Sequence, residues 1–343
     1  MDFSDLCTWS CIPGGITAPT GYQASGVKSG LKLSGKRDLA LLLAPEGAIC
    51  SGVFTQSVAR AACIDLCIDR LQASQGQVRA VLINSGQANA CTGDRGLIDS
   101  LKATKLISDQ LSLGVQETLI CSTGVIGQPI PMSNLISGIE PLIKGLSPLG
   151  SEDAAEAILT TDTTQKQIAF ECHLGDRRVR IGGIAKGSGM IHPNMGTMLA
   201  FITCDAFLPL SIWQQMIKRV ANTSFNMITV DGDTSTNDSL IAFSSGETLL
   251  EKYYSALELG LNQVSTYLAK AIARDGEGAT CLIEVKVLGL NSDIEAKRIA
   301  KTIASSLLVK TAINGCDPNW GRIIAAAARA GVAFQLDSVS LKL

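Results

Sequence analysis

Gly196-Thr197 sets a main-chain bond and a hydroxyl side by side, with no side chain on the preceding residue to hinder attack. It closes the glycine-rich run Gly182-Gly183-Ile184-Ala185-Lys186-Gly187-Ser188-Gly189-Met190-Ile191-His192-Pro193-Asn194-Met195, whose glycines suit positive φ or close approach to another group. A threonine hydroxyl is a poor nucleophile until a base takes its proton. The chain's two histidines, His173 and His192, complete no Ser/His/Asp set. Breaking the Gly196–Thr197 peptide would supply the base, because the freed α-amine has an ordinary pKa of about 7.7–8.0 and can activate its own hydroxyl. The competing reading is that a Gly-Thr pair simply begins a strand.

Attack on a carbonyl needs donors for the oxyanion, typically worth about 3–4 kcal/mol each. Ser122-Thr123-Gly124, on a turn after an apolar run, offers a hydroxyl and an unhindered N–H, although an S-T-G alone reads equally as an ordinary turn. Lys186, flanked by small residues eleven positions before Thr197, has the reach to meet a substrate carboxylate; loop lysines are otherwise solvated. Other signals fail. Asp231-x-Asp233-x-Ser235 hints at a calcium loop, but Thr236 stands at its sixth position and Ala242 at its twelfth. No dinucleotide fingerprint or P-loop can be drawn through Gly187-Ser188-Gly189. His192 is expected to pack the loop, and Cys316-Asp317-Pro318-Asn319-Trp320 to shape a turn.

Several stretches together resemble the glutamate N-acetyltransferase family, the ornithine acetyltransferases of arginine biosynthesis. They are Lys186-Gly187-Ser188-Gly189-Met190-Ile191 leading through Pro193-Asn194-Met195 to Thr197, Asn84 to Gly93, Ser122 to Gly127, Thr160-Thr161-Asp162-Thr163, Asp231 to Asp238, Asp275 to Thr280 and Asp317 to Arg322, in family order. The resemblance runs from about residue 14 to the end. It implies self-cleavage between Gly196 and Thr197 into an α chain, 1–196, and a β chain, 197–343, that begins with the nucleophile Thr197. It further implies Thr123 and Gly124 as oxyanion hole, and Thr160, Lys186, Thr197 and Glu277 as substrate contacts; Glu277 without it would be a solvated residue at a helix end. The implied reaction is ping-pong transfer of acetyl from N2-acetylornithine to glutamate, with acetyl-CoA as a second donor in some members. No cofactor is required, because an enzyme ester carries the group. Two α and two β chains in the cytoplasm complete the expectation. Two departures are visible: Gly196 stands where alanine is usual, and family members continue several dozen residues beyond Val332-Ala333-Phe334, to an Asn and a Ser/Thr that contact substrate. A self-processing amidase or aminopeptidase, with water resolving the ester, is the alternative enzyme; a non-catalytic family member is the other.

Composition narrows the classes. Of 343 residues, 46% are hydrophobic and 17% charged, which describes a core-rich globular chain. A net charge of −2 gives no footprint for nucleic acid or an anionic membrane. The longest apolar segments, such as Leu199 to Trp213, are broken by Asp205 and Pro209, and Met1 to Asp5 shows no secretory leader. Eleven cysteines scattered through apolar runs read as buried reduced thiols, without metal-ligand spacing.

The elements that must position these groups alternate loosely. Residues 1–37 read as an irregular arm. Strands are expected at 38–44, 53–54, 61–68, 78–83 and 118–121, with a helix carrying Leu97, Leu101, Ile107 and Leu111 and ending at Gly114. A helix from Ser151, a hairpin around Gly175-Asp176, a strand from Met198 to Thr203 and a helix from Leu210 follow. A strand at 227–230, a helix at 249–274 with Leu257, Leu261, Val264, Leu268 and Ile272 on one face, a strand at 281–287 and a helix opened by Ser292-x-x-Glu295 complete the chain. Such spacing points to an α/β (α+β) fold of layered mixed β-sheets covered by helices rather than a doubly wound parallel sheet. The resemblance implies the ornithine acetyltransferase and L-aminopeptidase D-amidase-like version of it.

Overall fold

In the computed structural model, which describes residues 8–192 and 198–343, the N-terminal arm carries two strands, Ser10–Ile12 (β1) and Gln23–Val27 (β2). Their glycine- and serine-rich sequence hides them, and pairing with later strands extends them. The apolar run at Leu39–Leu43 forms β3 and Ile49–Phe54 forms β4. Residues 61–68 are not a strand. Ala62–Ala73 is helix α1, which buries Cys63, Ile64, Leu66, Cys67 and Arg70 and leaves Asp65 and Gln72 in solvent, a 3.6-residue period that a short apolar run conceals.

Ala80–Gln87 (β5) continues through the Asn84-Ser85-Gly86-Gln87 segment expected to be loop. Asp94–Leu111 is α2, but its core face is Gly96, Asp99, Ser100, Ala103, Thr104 and Ile107, while Leu97 and Leu101 are exposed. Thr118–Val125 (β6), Met132–Lys144 (α3) and Ser151–Ala157 (α4) precede the hairpin of Lys166–Leu174 (β7) and Arg177–Lys186 (β8). Leu199–Phe207 is β9, Leu210–Thr223 α5, Ser239–Thr248 β10 and Tyr254–Arg274 α6, with all five expected apolar residues of α6 fully buried. Residues 227–230 form no strand; a short turn at Phe225–Met227 precedes irregular chain.

Two mixed sheets result, one of order β1-β7-β8-β9-β10-β4 and one of order β2-β3-β5-β6. Among the described residues only β9 with β10 and β5 with β6 run parallel. Phe201, Ile184, Ile241 and Phe243 of the first sheet meet Ala40, Leu42, Val81, Ile83 and Leu119 of the second in a core between the sheets. The outer face of the larger sheet is covered by α5 and α6, that of the smaller by α1, α2 and α3, giving four layers, helix, sheet, sheet, helix. Layered mixed sheets under helices are thus what the sequence led us to expect.

The C-terminal segment packs three helices, Asp293–Ala304 (α7), Leu307–Asn314 (α8) and Trp320–Ala328 (α9), around a small core of their own. Ser292 Oγ caps α7 by accepting from the Glu295 N–H at 3.4 Å. At 281–287, Ile283, Val285 and Val287 alternate with exposed Glu284 and Lys286 as a strand would, yet no partner strand lies beside them among the described residues, so no ladder forms. Cys50, Cys63, Cys67, Cys121 and Cys204 are buried free thiols, Cys281 is exposed, and Cys172 is disulfide-bonded. No helix among the described residues is long and apolar enough to cross a membrane.

Candidate active site

Lys186 is the last residue of β8 and pairs in register with Leu199, the first residue of β9. The chain between them contains Gly196 and Thr197, which lie outside the described residues. Both approaches to them are fixed. On the near side the Asp231 carboxylate accepts from the Met190 N–H at 2.6 Å and the Ile191 N–H at 3.0 Å. His192 places Nδ1 2.9 Å from Thr229 Oγ1, a packing contact as expected of it, and its carbonyl accepts from the Thr234 hydroxyl. On the far side Met198 O accepts from the Ser239 N–H at 3.0 Å, which locks the head of β9 to β10. Asp231, the first acid of the rejected calcium loop, is therefore a backbone clamp.

Lys186 is 6% exposed. Burial pushes its ammonium below the ordinary lysine range, and the carboxylates of Asp162 and Asp238 pull it back, with a smaller pull from Glu277. Asp162 is the hub of this environment. It accepts from the Gly187 N–H at 2.6 Å, the Thr160 N–H at 3.0 Å and Lys166 Nζ at 2.7 Å. Lys166 also donates to Asp275 at 2.6 Å, and Asp275 in turn holds the Thr163 N–H. Burial works to raise the Asp162 carboxyl, but Lys186 and Lys166 outweigh it and hold the acid below its usual range.

These bonds tie exposed Thr160 to the residue after Lys186. The Thr161 hydroxyl lies 2.7 Å from Ser188 Oγ, and the Glu277 N–H donates to Ser188 O at 2.8 Å. A Cβ on Gly189 would stand 2.6 Å from the Glu277 carboxyl carbon, so the glycine leaves room for that acid to lie against the loop. Thr160, Lys186 and Glu277, assigned from separate stretches, are thereby gathered around one loop.

Thr123 and Gly124, expected on a turn, instead lie within the last three residues of β6, which stays paired with β5 through Val125; the first is buried and the second exposed. Gly124 pairs with Gly86 of β5 at φ +132°, where an added Cβ would stand 2.2 Å from the Gly86 carbonyl carbon; no other residue fits. This strand end is tied to the segment before β10 through Asn237, whose Nδ2 donates to Ser122 O at 2.9 Å and Ala88 O at 2.5 Å. Ser122 Oγ donates to Asn84 Oδ1 at 2.7 Å, and Asn84 Nδ2 to Gln87 O at 3.0 Å. Sequence reasoning quoted Asp162, Asp231, Asn237 and Asp275 within motifs but gave them no role, and it missed Lys166; their signal was a buried charge or amide inside a loop motif.

A cavity of about 460 Å³ between α6, residues 227–230 and the C-terminal segment is lined by Glu277, Lys301, Lys310 and Asn314, and meets this site at Glu277 and at Thr229, the partner of His192. Among the described residues no group of three or more His, Cys, Asp or Glu is placed to hold a metal. The arrangement is that of paired charges gathered around one loop beside a rigid strand head, suited to a zwitterionic ligand.

The sequence matches the ArgJ family over residues 23–343. It is 62% identical to the arginine biosynthesis bifunctional protein ArgJ of Parasynechococcus marenigrum over 97% of this chain and 81% of that protein. Identity to the ArgJ 1 protein of a Nostoc species is 56% over 98% of this chain and 83% of that one. The crystal structure of ornithine acetyltransferase from Mycobacterium tuberculosis in complex with ornithine superposes with a TM-score of 0.51 at 38% identity, covering 55% of this chain and 99% of that one. The ArgJ structure from Bacillus halodurans gives 0.52 at 33% identity with the same coverage.

Proposed function

Because the chain belongs to the ArgJ family and is therefore an acetyltransferase of arginine biosynthesis, we propose that it cuts itself between Gly196 and Thr197 and then carries acetyl on Thr197. In the cut, Thr197 Oγ attacks the Gly196 carbonyl carbon, the C–N bond breaks, and the new amine takes the proton. Water then hydrolyses the ester and leaves a Gly196 carboxylate. In turnover the same hydroxyl takes acetyl from N2-acetylornithine, the ornithine amine leaves protonated, and the glutamate amine attacks the acetyl ester to give N-acetylglutamate. Acetyl-CoA in place of acetylornithine charges the same hydroxyl, the second activity of a bifunctional enzyme.

The observation that carries this reading is the register of β8 against β9. A buried ammonium ends one central strand opposite the head of the next, so a chain start at residue 197 would stand two residues before a rigid strand. Thr123 and Gly124 serve as oxyanion donors, and Thr160, Lys186 and Glu277 as contacts to the charged ends of ornithine and glutamate. The solved chains support the division: each is 99% covered by 55% of this chain, and residues 1–196 make up a similar share of 343. The two pieces assemble as two α and two β chains, and the reaction belongs to the cytoplasm.

Intact mass of the purified protein tests the cut: wild type gives fragments 1–196 and 197–343, and Thr197→Ala stays one chain. Acetylornithine consumption by the wild type then rises steeply with added glutamate. An intact, active wild-type polypeptide overturns the cut, and consumption indifferent to glutamate makes the enzyme a hydrolase.

A further inference from the structure

The cavity that meets the active site at Glu277 and Thr229 has a cationic wall that acetyl transfer between amino acids leaves unused. α7 and α8 bring Lys301 and Lys310 to one side of it, and α6 with residues 227–230 forms the other. Lys310 donates to Val230 O, and Lys297, one turn before Lys301 on α7, donates to Asn222 O at 2.9 Å. A carbonyl satisfies a donor but leaves the charge uncancelled, and among the described residues neither Lys297 nor Lys310 forms a salt bridge. Lys270, also on the wall, is by contrast met by Glu284 at 2.9 Å. Lys301 and Lys310 are therefore opposed on the cavity wall by one acid, Glu277.

Both ammonium groups gather towards the Thr229 end. Burial lowers the His192 imidazole, Lys301 and Lys310 lower it further against the pull of Asp231, and His192 Nδ1 stands 2.9 Å from Thr229 Oγ1. Burial and the neighbouring charge of Lys297 bring Lys301 itself down to about 8, and burial lowers Lys310, which Asp231 pulls back. Half-buried cations crowded in this way are relieved by an anion set between them. Asp231 is already committed elsewhere, because its carboxylate accepts from the main-chain N–H groups of Met190, Ile191 and Asp233.

The chemistry of the wall selects the anion. An amino acid brings its own ammonium and would cancel little of this charge, whereas a phosphate group brings up to two negative charges and several acceptor oxygens, which lysines bind well. The rest of the wall includes Ile228, Ala269, Ala273 and Ile283, so an uncharged arm has apolar surface to lie on. The volume of about 460 Å³ falls in the range of about 300–1,000 Å³ usual for small-ligand sites. We propose that this cavity seats the phosphate end of an acyl donor of the acyl-CoA class, with Lys301 and Lys310 holding phosphate oxygens and the uncharged arm leading past Glu277 to the active site. The proposal rests on the acetyl-CoA branch of the proposed function, and it gives that donor a seat apart from the amino-acid contacts.

The test titrates CoA, and adenosine 3′,5′-bisphosphate as its phosphate end without the thiol, into the full chain of wild type and Lys301→Met by calorimetry. We expect both ligands to bind wild type and the variant to hold each about tenfold more weakly, the loss of one charge-assisted hydrogen bond. KM for acetyl-CoA should rise by a similar factor while KM for acetylornithine holds within about twofold. CoA that fails to bind wild type, or binds the variant equally well, overturns the proposal. Inorganic phosphate bound as tightly as CoA also overturns it, since the cavity would then be a site for free phosphate. An equal rise in KM for acetylornithine does the same, by making Lys301 part of the amino-acid site. Should the variant not fold, acetic anhydride labelling of wild type, read by peptide mass, decides: the bisphosphate shields Lys301 and Lys310 but not exposed Lys102 if the proposal holds, and shields neither if it does not. The binding readings need no cut at Gly196–Thr197, so a wild type that binds CoA but transfers no acetyl sinks the reaction and leaves this site standing.

Discussion

Lys166 illustrates how the loop after Lys186 is held by buried charges. Its side chain is 1% exposed and lies within 2.7 Å of Asp162, itself fully buried, and 2.6 Å of Asp275. Such a triad adds little net stability, because desolvation offsets the attraction, but removing one member strands the others. Lys166→Met should therefore destabilise the protein by about 3–5 kcal/mol, read from the urea midpoint, and should loosen the Gly187 N–H from Asp162. The acids also set an acid limit. Asp162 and Asp275 are both held below their ordinary 3.8, so their contribution is complete above that pH and is lost as pH falls through their lower native values. An acid titration of wild type should show this loss, and one of Lys166→Met should show much less of it.

Among elements, the ends of β5 and β6 and the start of β10 do the positioning, and Asn237 is the link between them. Its amide serves two buried carbonyls, so Asn237→Ala leaves acceptors unpaired at a cost of about 1–3 kcal/mol. Because one of those carbonyls precedes Thr123, kcat should fall further than the stability loss explains, with KM for acetylornithine little changed; steady-state kinetics below the unfolding range checks this. The same elements show how far the sequence could be read. Continuous apolar runs such as Leu39–Leu43 and the alternation at β7 and β8 were legible because sheet burial writes them directly. The run at 61–68 was misread because a helix against a sheet also buries most of its residues. The helix at 94–111 was legible but its face was not, since Gly96, Ser100 and Thr104 pack there in place of Leu97 and Leu101. The fragments at 227–230 and 281–287 have strand-like residues and no partner. Of the residues proposed for the site, Lys186, Thr123 and Gly124 stand out in the sequence, whereas Asp162, Lys166 and Asn237 act in part through contacts 25 to 149 positions away that no local pattern contains.

At the scale of the whole molecule, a cut at residue 197 divides one sheet without separating it. In the larger sheet β9 and β10 would belong to the second piece, yet β9 pairs with β8 and β10 with β4, both of the first. The inter-sheet core likewise draws on both, through Phe201 and Phe243 on one side and Leu42 and Ile83 on the other. The two fragments should accordingly co-elute on size exclusion in native buffer and part only in denaturant; fragments that separate without denaturant would contradict this interlocking. The central claim is that one residue, freed by the cut, carries the acetyl group. Its most direct test is the mass of the fragment beginning Thr-Met-Leu-Ala after mixing with N2-acetylornithine in the absence of glutamate. The account predicts a gain of one acetyl group on Thr197 that disappears when glutamate is added. A fragment that never gains it, or gains it at another residue, would contradict the account.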